Sequence, residues 1–196
     1  MSLTESTMMP LGTKAPDFSL PDVRTGESVS LKDFKEAEVL LVVFMCAHCP
    51  CVKLVQSELA AIGRDFRNRS FGMVAISAND VEQSPGDAPP KLKEQAEKHD
   101  FVFPYLYDET QETARTYRAA CTPDFFLFNA QRKLVYRGQL DNARPGNGKP
   151  VTGQDLRIAM ECLYEGQPLP RRQLPSSGCN IKWKPGKEPD NQETEK

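Results

Sequence analysis

No stretch of this 196-residue chain approaches the ~20 consecutive apolar residues that a membrane-spanning helix needs. Residues 1–12 have neither the basic start nor the apolar centre of a secretory leader. The formal charge is only -2, so no excess of positive charge points to nucleic acid or an anionic membrane as partner. Six cysteines fall well short of the density of a disulfide scaffold. Together these absences set an expectation of a cytoplasmic, reducing setting, in which clustered cysteines serve redox or metal chemistry and isolated ones are inert. No internal repeat is present.

The 39% of hydrophobic residues suffices for one core of ordinary domain size. The expected organisation is a flexible N-terminus over 1–9, a body over 10–166, a C-terminal extension over 167–186 that packs on the body, and a disordered tail over 187–196. The extension carries Gly178-Cys179-Asn180-Ile181-Lys182-Trp183 with the only Trp. Leaving Ile181 and Trp183 in water would forfeit about 2 to 3 kcal/mol each, so docking is expected.

Phe18 to Leu31 alternates around the turn Arg24-Thr25-Gly26-Glu27 and predicts a β-hairpin. Val39 to Phe44 is a short, β-branched apolar run, the pattern of a strand buried on both faces. Val52, Val55, Leu59, Ile62 and Phe66 then step by three and four along one helical stripe. Further expectations are a strand at Phe71 to Ser77, a loop from Asn79 to Pro90 and a helix from Lys91 to His99. After them come a strand at Tyr105 to Tyr107 and a helix from Glu109 to Arg118 capped by Asp108 and Gln111. A hairpin follows around Asn129 to Arg132, and a last helix runs from Thr152 or Asp155 to about Glu165.

Between the first buried strand and its helix stands Cys46-Ala47-His48-Cys49-Pro50-Cys51. Pro50 suits a first helical position and biases Cys49 away from helical dihedrals, so Cys49 is expected at the N-cap. A free Cys near pKa 8.5 is only ~3% thiolate at neutral pH. The helix N-terminus favours the anion, and His48 can add a charge or a hydrogen bond. The alternatives are two buried small residues and a His48 that simply faces solvent. Cys51, one residue past Pro50, is expected to point aside, and Cys162 is expected in the core. Cys46, His48, Cys49 and Cys51 are also soft ligands, which leaves a Cu(I)- or Zn(II)-binding module open as a reading of another class.

The order strand, helix, strand, helix, hairpin, helix resembles a thioredoxin-like α/β fold, a central mixed sheet flanked by helices, and the leading hairpin resembles what peroxiredoxins add. Ala15-Pro16-Asp17-Phe18 is similar to the opening of the alkyl-hydroperoxide-reductase and thiol-specific-antioxidant superfamily. Cys121-Thr122-Pro123-Asp124 resembles the loop whose proline is cis. With Pro104 to Gln111, Tyr136 to Asp141 and the Gly178 to Trp183 segment, the chain resembles the C-x-x-C-containing, peroxiredoxin-like redoxins over about residues 10 to 186.

That resemblance implies Cys46 and Cys49 as a dithiol–disulfide couple, with His48, Thr122, Pro123 and Cys121 in support. It implies that the Thr122 backbone pairs with an extended substrate, and that Cys121 is either a resolving thiol or a small buried residue. In the peroxiredoxin register Cys49 takes the peroxidatic place, Cys46 replaces a Thr, Val42 replaces a Pro, and the assisting Arg, due near Thr122 and Pro123, is missing. Losing those donors favours disulfide exchange over peroxide reduction. The implied activity is a thiol–disulfide oxidoreductase, with thiol peroxidase as the alternative. Its implied partners are a disulfide-containing protein or small disulfide and a thioredoxin or glutathione reducing system. No cofactor and no resident metal are expected for such exchange.

Overall fold

The computed structural model describes residues 3–189. β1 is Thr4–Glu5, and β2 (Ser19–Pro21) and β3 (Ser28–Ser30) form the expected hairpin, with Leu20 opposite Val29. β4 (Val39–Phe44) leads into α1 (Pro50–Phe66), and β5 (Phe71–Ser77) into α2 (Pro89–Lys98). β6 (Tyr105–Tyr107), α3 (Glu112–Thr116), β7 (Cys121–Thr122), β8 (Asp124–Phe128) and β9 (Leu134–Tyr136) follow. The chain closes with α4 (Gln154–Tyr164) and β10 (Ser177–Asn180).

Five strands form the central mixed sheet in the order β6-β5-β4-β8-β9, with β4–β5 and β5–β6 parallel and β8 antiparallel to both β4 and β9. β4 is central and buried along its whole length. Because side chains alternate across a strand, Leu41 and Val43 meet α1, α2 and α4 through Val52, Leu59, Leu92 and Met160. Leu40, Val42 and Phe44 face the opposite layer of Phe18, Tyr117, Phe126 and Ile181. A strand clamped on both faces fixes the point at which the chain leaves it, and it leaves into Cys46.

Three expectations are corrected. The segment 3–9 is docked rather than loose: β1 pairs with β10, the Ser6 amide donates to the Ser176 carbonyl at 2.8 Å, and Met9 is buried. α3 is shorter than expected and begins after Gln111, which sits in the left-handed region at φ 65. Its buried amide is engaged elsewhere, donating to the Ala78 carbonyl at 2.6 Å and the Lys182 carbonyl at 2.9 Å and accepting from the Lys184 amide at 2.8 Å. The 79–90 segment is more ordered than a plain loop, with a 3-10 turn at Pro85–Asp87 and α2 starting at Pro89.

The extension runs back over the body. The Gln139 amide donates to the Leu174 carbonyl at 2.8 Å and the Ser176 hydroxyl to the Pro123 carbonyl at 2.7 Å. β10 then lies between β1 and β7 in a second, three-stranded sheet. Ile181 is fully buried and Trp183 packs half-buried beside it. Of the expected tail, 190–196 lies outside the described residues.

Ile181→Ala should therefore cost about 2–5 kcal/mol of stability in urea unfolding and shift the Trp183 emission to the red. A change within about 0.5 kcal/mol with unaltered emission would mean that the extension is not docked.

Candidate active site

The expected cap geometry is present: Cys49 is the N-cap of α1 in extended conformation (φ -63, ψ 125), and Pro50 opens the helix. Cys46 lies just past the end of β4. Its residue-45 neighbour is tied to β5 by the Met45 amide, which donates to the Ile76 carbonyl at 2.9 Å. The Thr122–Pro123 peptide is cis, and it brings Thr122 against both cysteines. The Thr122 hydroxyl lies 3.5 Å from Cys46 Sγ, and its carbonyl lies 3.3 Å from Cys49 Sγ, where it accepts only from the thiol form.

The two cysteines ionise differently. The Cys46 thiol donating to it holds Cys49 down at about 4 against the opposing cost of burial, and further donors from Cys179, Thr122 and the Val52 amide assist. Cys46 moves the other way, because giving up its proton would break its bond to Cys49, with burial and the charges of Asp87 and Cys49 adding to the effect. Cys49 is thus the thiolate and Cys46 its protonated partner.

The turn between them is held by Asp87, a residue with no signal in the sequence beyond an acidic position in a Pro- and Gly-rich stretch. Its fully buried carboxylate accepts the Ala47 and His48 amides at 2.8 and 2.9 Å and the Asn79 side-chain amide at 2.8 Å. Burial alone would raise Asp87, but Asn79 and the His48 amide and ring outweigh it and hold the carboxyl below its ordinary value.

His48 is corrected by this geometry. Its Nδ1 lies 2.5 Å from Asp87 Oδ2, with Ser84 Oγ at 3.2 Å, and it makes no hydrogen bond to either cysteine. It acts on the turn, through Asp87, rather than on the thiolate.

Cys121 is also corrected as a candidate resolving thiol. It is fully buried beside Thr122 in β7 with its Sγ directed to the Pro123 carbonyl at 3.7 Å, and burial and the Asp124 charge push its pKa far up. Cys179 stands in the place expected of such a thiol, with its Sγ 2.7 Å from that of Cys49. Cys51, rather than pointing aside, joins them: the sulfur atoms of Cys49, Cys51 and Cys179 lie within 4.8 Å of one another. The expected soft-ligand set of Cys46, His48, Cys49 and Cys51 is therefore divided, since Cys46 and His48 group with Asp87 instead. Cys162 is half-buried on α4 rather than in the core.

Nothing local in the sequence marks Arg137 either. It is fully buried in a bidentate pair with Asp124, 2.9 Å from Nη2 to Oδ2, and its guanidinium lies 3.9 Å from the Phe126 ring centre. Asp124 Oδ2 also accepts the Ala120 amide at 3.1 Å, so the pair fixes the backbone on either side of the cis bond.

A family model described as AhpC/TSA family matches residues 11–137. The chain belongs to the AhpC/TSA family. Within this redoxin family it is 31% identical over 118 residues to a Mycobacterium tuberculosis protein that carries a provisional peroxiredoxin name, covering 60% of this chain and 69% of that one. An uncharacterized conserved protein from Geobacillus kaustophilus superposes with a TM-score of 0.92 at 51% identity, over 95% of this chain and 98% of its own. The thioredoxin domain of a thiol-disulfide oxidoreductase from Bacteroides vulgatus does so with a TM-score of 0.55 at 24% identity, over 66% and 91%. The fold is thioredoxin-like, a mixed sheet flanked by helices. Among the described residues no helix is long and apolar enough to cross a membrane.

The ionisation of this redoxin's Cys49 makes a signed prediction. Its folded value near 4 lies below the ordinary thiol value of about 8.5, so between the two the unfolded chain carries the extra proton and stability rises with pH. Above that range Cys46 and Cys179, both raised, work in the opposite direction, and their contribution is lost as pH climbs towards their folded values. The stability difference between reduced wild type and Cys49→Ser should widen from about pH 4 to 8.5 in urea midpoints. Parallel profiles would contradict the assignment.

Proposed function

We propose that this redoxin is a thiol–disulfide oxidoreductase whose working couple is Cys46 and Cys49. The observation that carries the reading is geometric: Cys49 caps α1, Cys46 ends the strand that feeds it, and Thr122 of the cis peptide lies against both sulfur atoms, 3.5 Å from Cys46 Sγ and 3.3 Å from Cys49 Sγ. The thiolate is the nucleophile in disulfide exchange, and a stabilised thiolate is a good leaving group, which favours a couple more oxidising than thioredoxin at about -270 mV. Within the couple the attacking atom is Cys49 Sγ, whether the disulfide it opens is a substrate's or one formed on this chain. Cys46, adjacent and protonated, resolves the mixed disulfide and loses its proton to the departing thiolate.

Suitable substrates are a disulfide-bearing protein or a small disulfide, with a thioredoxin- or glutathione-type system restoring the dithiol in a reducing compartment such as the cytoplasm. Peroxide reduction is the weaker reading. The place of the family's Thr is taken by Cys46, and Arg137, the guanidinium near this loop, is paired with Asp124. Neither is free to stabilise charge on a peroxide's oxygens.

Exposure to a small disulfide should remove two free thiols per reduced wild-type chain, counted after denaturation, and at most one from Cys49→Ser. Hydrogen peroxide should be slower than with a true peroxiredoxin by on the order of 10² or more for each missing donor. Equal thiol loss in Cys49→Ser, or a peroxiredoxin-like peroxide rate, would overturn this ordering.

A further inference from the structure

We propose that β10 is a built-in occupant of the edge beside the cis peptide and that Cys179 is the thiol through which external disulfides exchange with Cys49. The inference rests on the couple proposed above and adds its route to solvent. Four observations converge on it.

The Thr122 edge pairs antiparallel with β10 in the register Cys179 opposite Thr122 and Asn180 opposite Cys121. Gly178 makes this approach possible: a Cβ there would stand 2.1 Å from the Thr122 carbonyl oxygen, closer than any side chain tolerates. The register sets Cys179 Sγ 2.7 Å from Cys49 Sγ. Finally, Cys46, Cys49 and Cys51 are 1%, 0% and 3% exposed, whereas Cys179 is only half-buried.

A partner's disulfide therefore meets Cys179 before it meets Cys49. Displacing β10 to bare Cys49 is the costlier route, because the strand is held on both flanks. Before it, the Ser176 hydroxyl bonds the Pro123 carbonyl. After it, Ile181 is buried, the Lys182 amide donates to Asn79 Oδ1 at 2.9 Å, and Gln111 holds the Lys184 amide.

The exchange balances as follows. Cys179 attacks a disulfide R–S–S–R, forming Cys179–S–S–R, and its proton leaves with the released thiol R–SH, so that Cys49 stays ionised. Cys49 then attacks Cys179 Sγ, forming the Cys49–Cys179 disulfide and expelling the second thiolate to solvent. Cys46 attacks Cys49 Sγ and gives its proton to the departing Cys179. The external disulfide has gained two electrons, Cys46 and Cys49 have lost them, and Cys179 is a thiol again. A dithiol reductant resets the couple by the reverse sequence.

The test uses the full chain and 2-hydroxyethyl disulfide as probe. In Cys46→Ser/Cys51→Ser protein the resolving thiol is gone, and peptide mapping should find residues 36–53 cross-linked to residues 173–182, the Cys49–Cys179 bridge. Gly178→Ala in that background keeps every thiol but crowds the Thr122 carbonyl, and it should lower the cross-link yield severalfold. In the otherwise native chain, Cys179→Ser should slow formation of the Cys46–Cys49 bridge about tenfold or more. Probe adducts on Cys49 with Cys179 still alkylatable would overturn the proposal, as would a Cys46–Cys49 bridge forming at the wild-type rate in Cys179→Ser. Either result leaves the couple itself standing. A Cys49–Cys179 cross-link without any Cys46–Cys49 bridge in wild type would instead sink the couple and keep the contact.

Discussion

The site depends on one requirement: a sulfur anion inside the protein must be surrounded by donors, since a buried charge without hydrogen bonds is untenable. The Cys46 and Cys179 thiols and the Thr122 side chain act on Cys49 Sγ to favour its anion, with a smaller contribution from the Val52 amide of the first turn of α1. Each comes from a different part of the chain. The end of β4 places Cys46, the N-cap places Cys49 and Val52, the cis peptide places Thr122, and β10 places Cys179. The doubly covered β4 and the docked extension are thus conditions for the charge rather than background to it.

Asp87 adds to the bias that keeps the charge off Cys46. By accepting the Ala47 and His48 amides it shapes the turn, and its negative field lies against Cys46, where it adds to the forces keeping that thiol protonated. Two neighbouring thiols disfavour each other's ionisation, and an acidic neighbour beside Cys46 adds to the disparity. The Arg137–Asp124 pair does comparable work below the cis bond. Breaking it from one side would leave a charge buried without a partner, a change typically worth about 3–5 kcal/mol.

Much of this was legible in the sequence where the pattern is local. The apolar run at Val39–Phe44, the three-four stripe of α1 and the Pro50 that places Cys49 at the cap are all present in the structure. The cis bond at Pro123 came from resemblance, because nothing in an isolated Thr-Pro pair distinguishes cis from trans. What was missed is long-range. Asp87, 38 residues beyond Cys49, is one of many acidic residues until the fold carries it to the turn. Gln111 reads as a helix-capping residue and instead brackets the extension. Residues 3–9 read as polar and loose, yet β10 offers them a strand edge. The neighbours of His48 in sequence are the cysteines, whereas its neighbour in space is Asp87.

The chemistry therefore rests on a single ionised sulfur. Thiolate absorbance near 240 nm, followed from pH 3 to 9 in the reduced protein and corrected by subtracting the Cys49→Ser curve, measures that ionisation directly. One thiolate appearing with a midpoint near pH 4 is the predicted result. A midpoint near the ordinary thiol value of about 8.5 would contradict it.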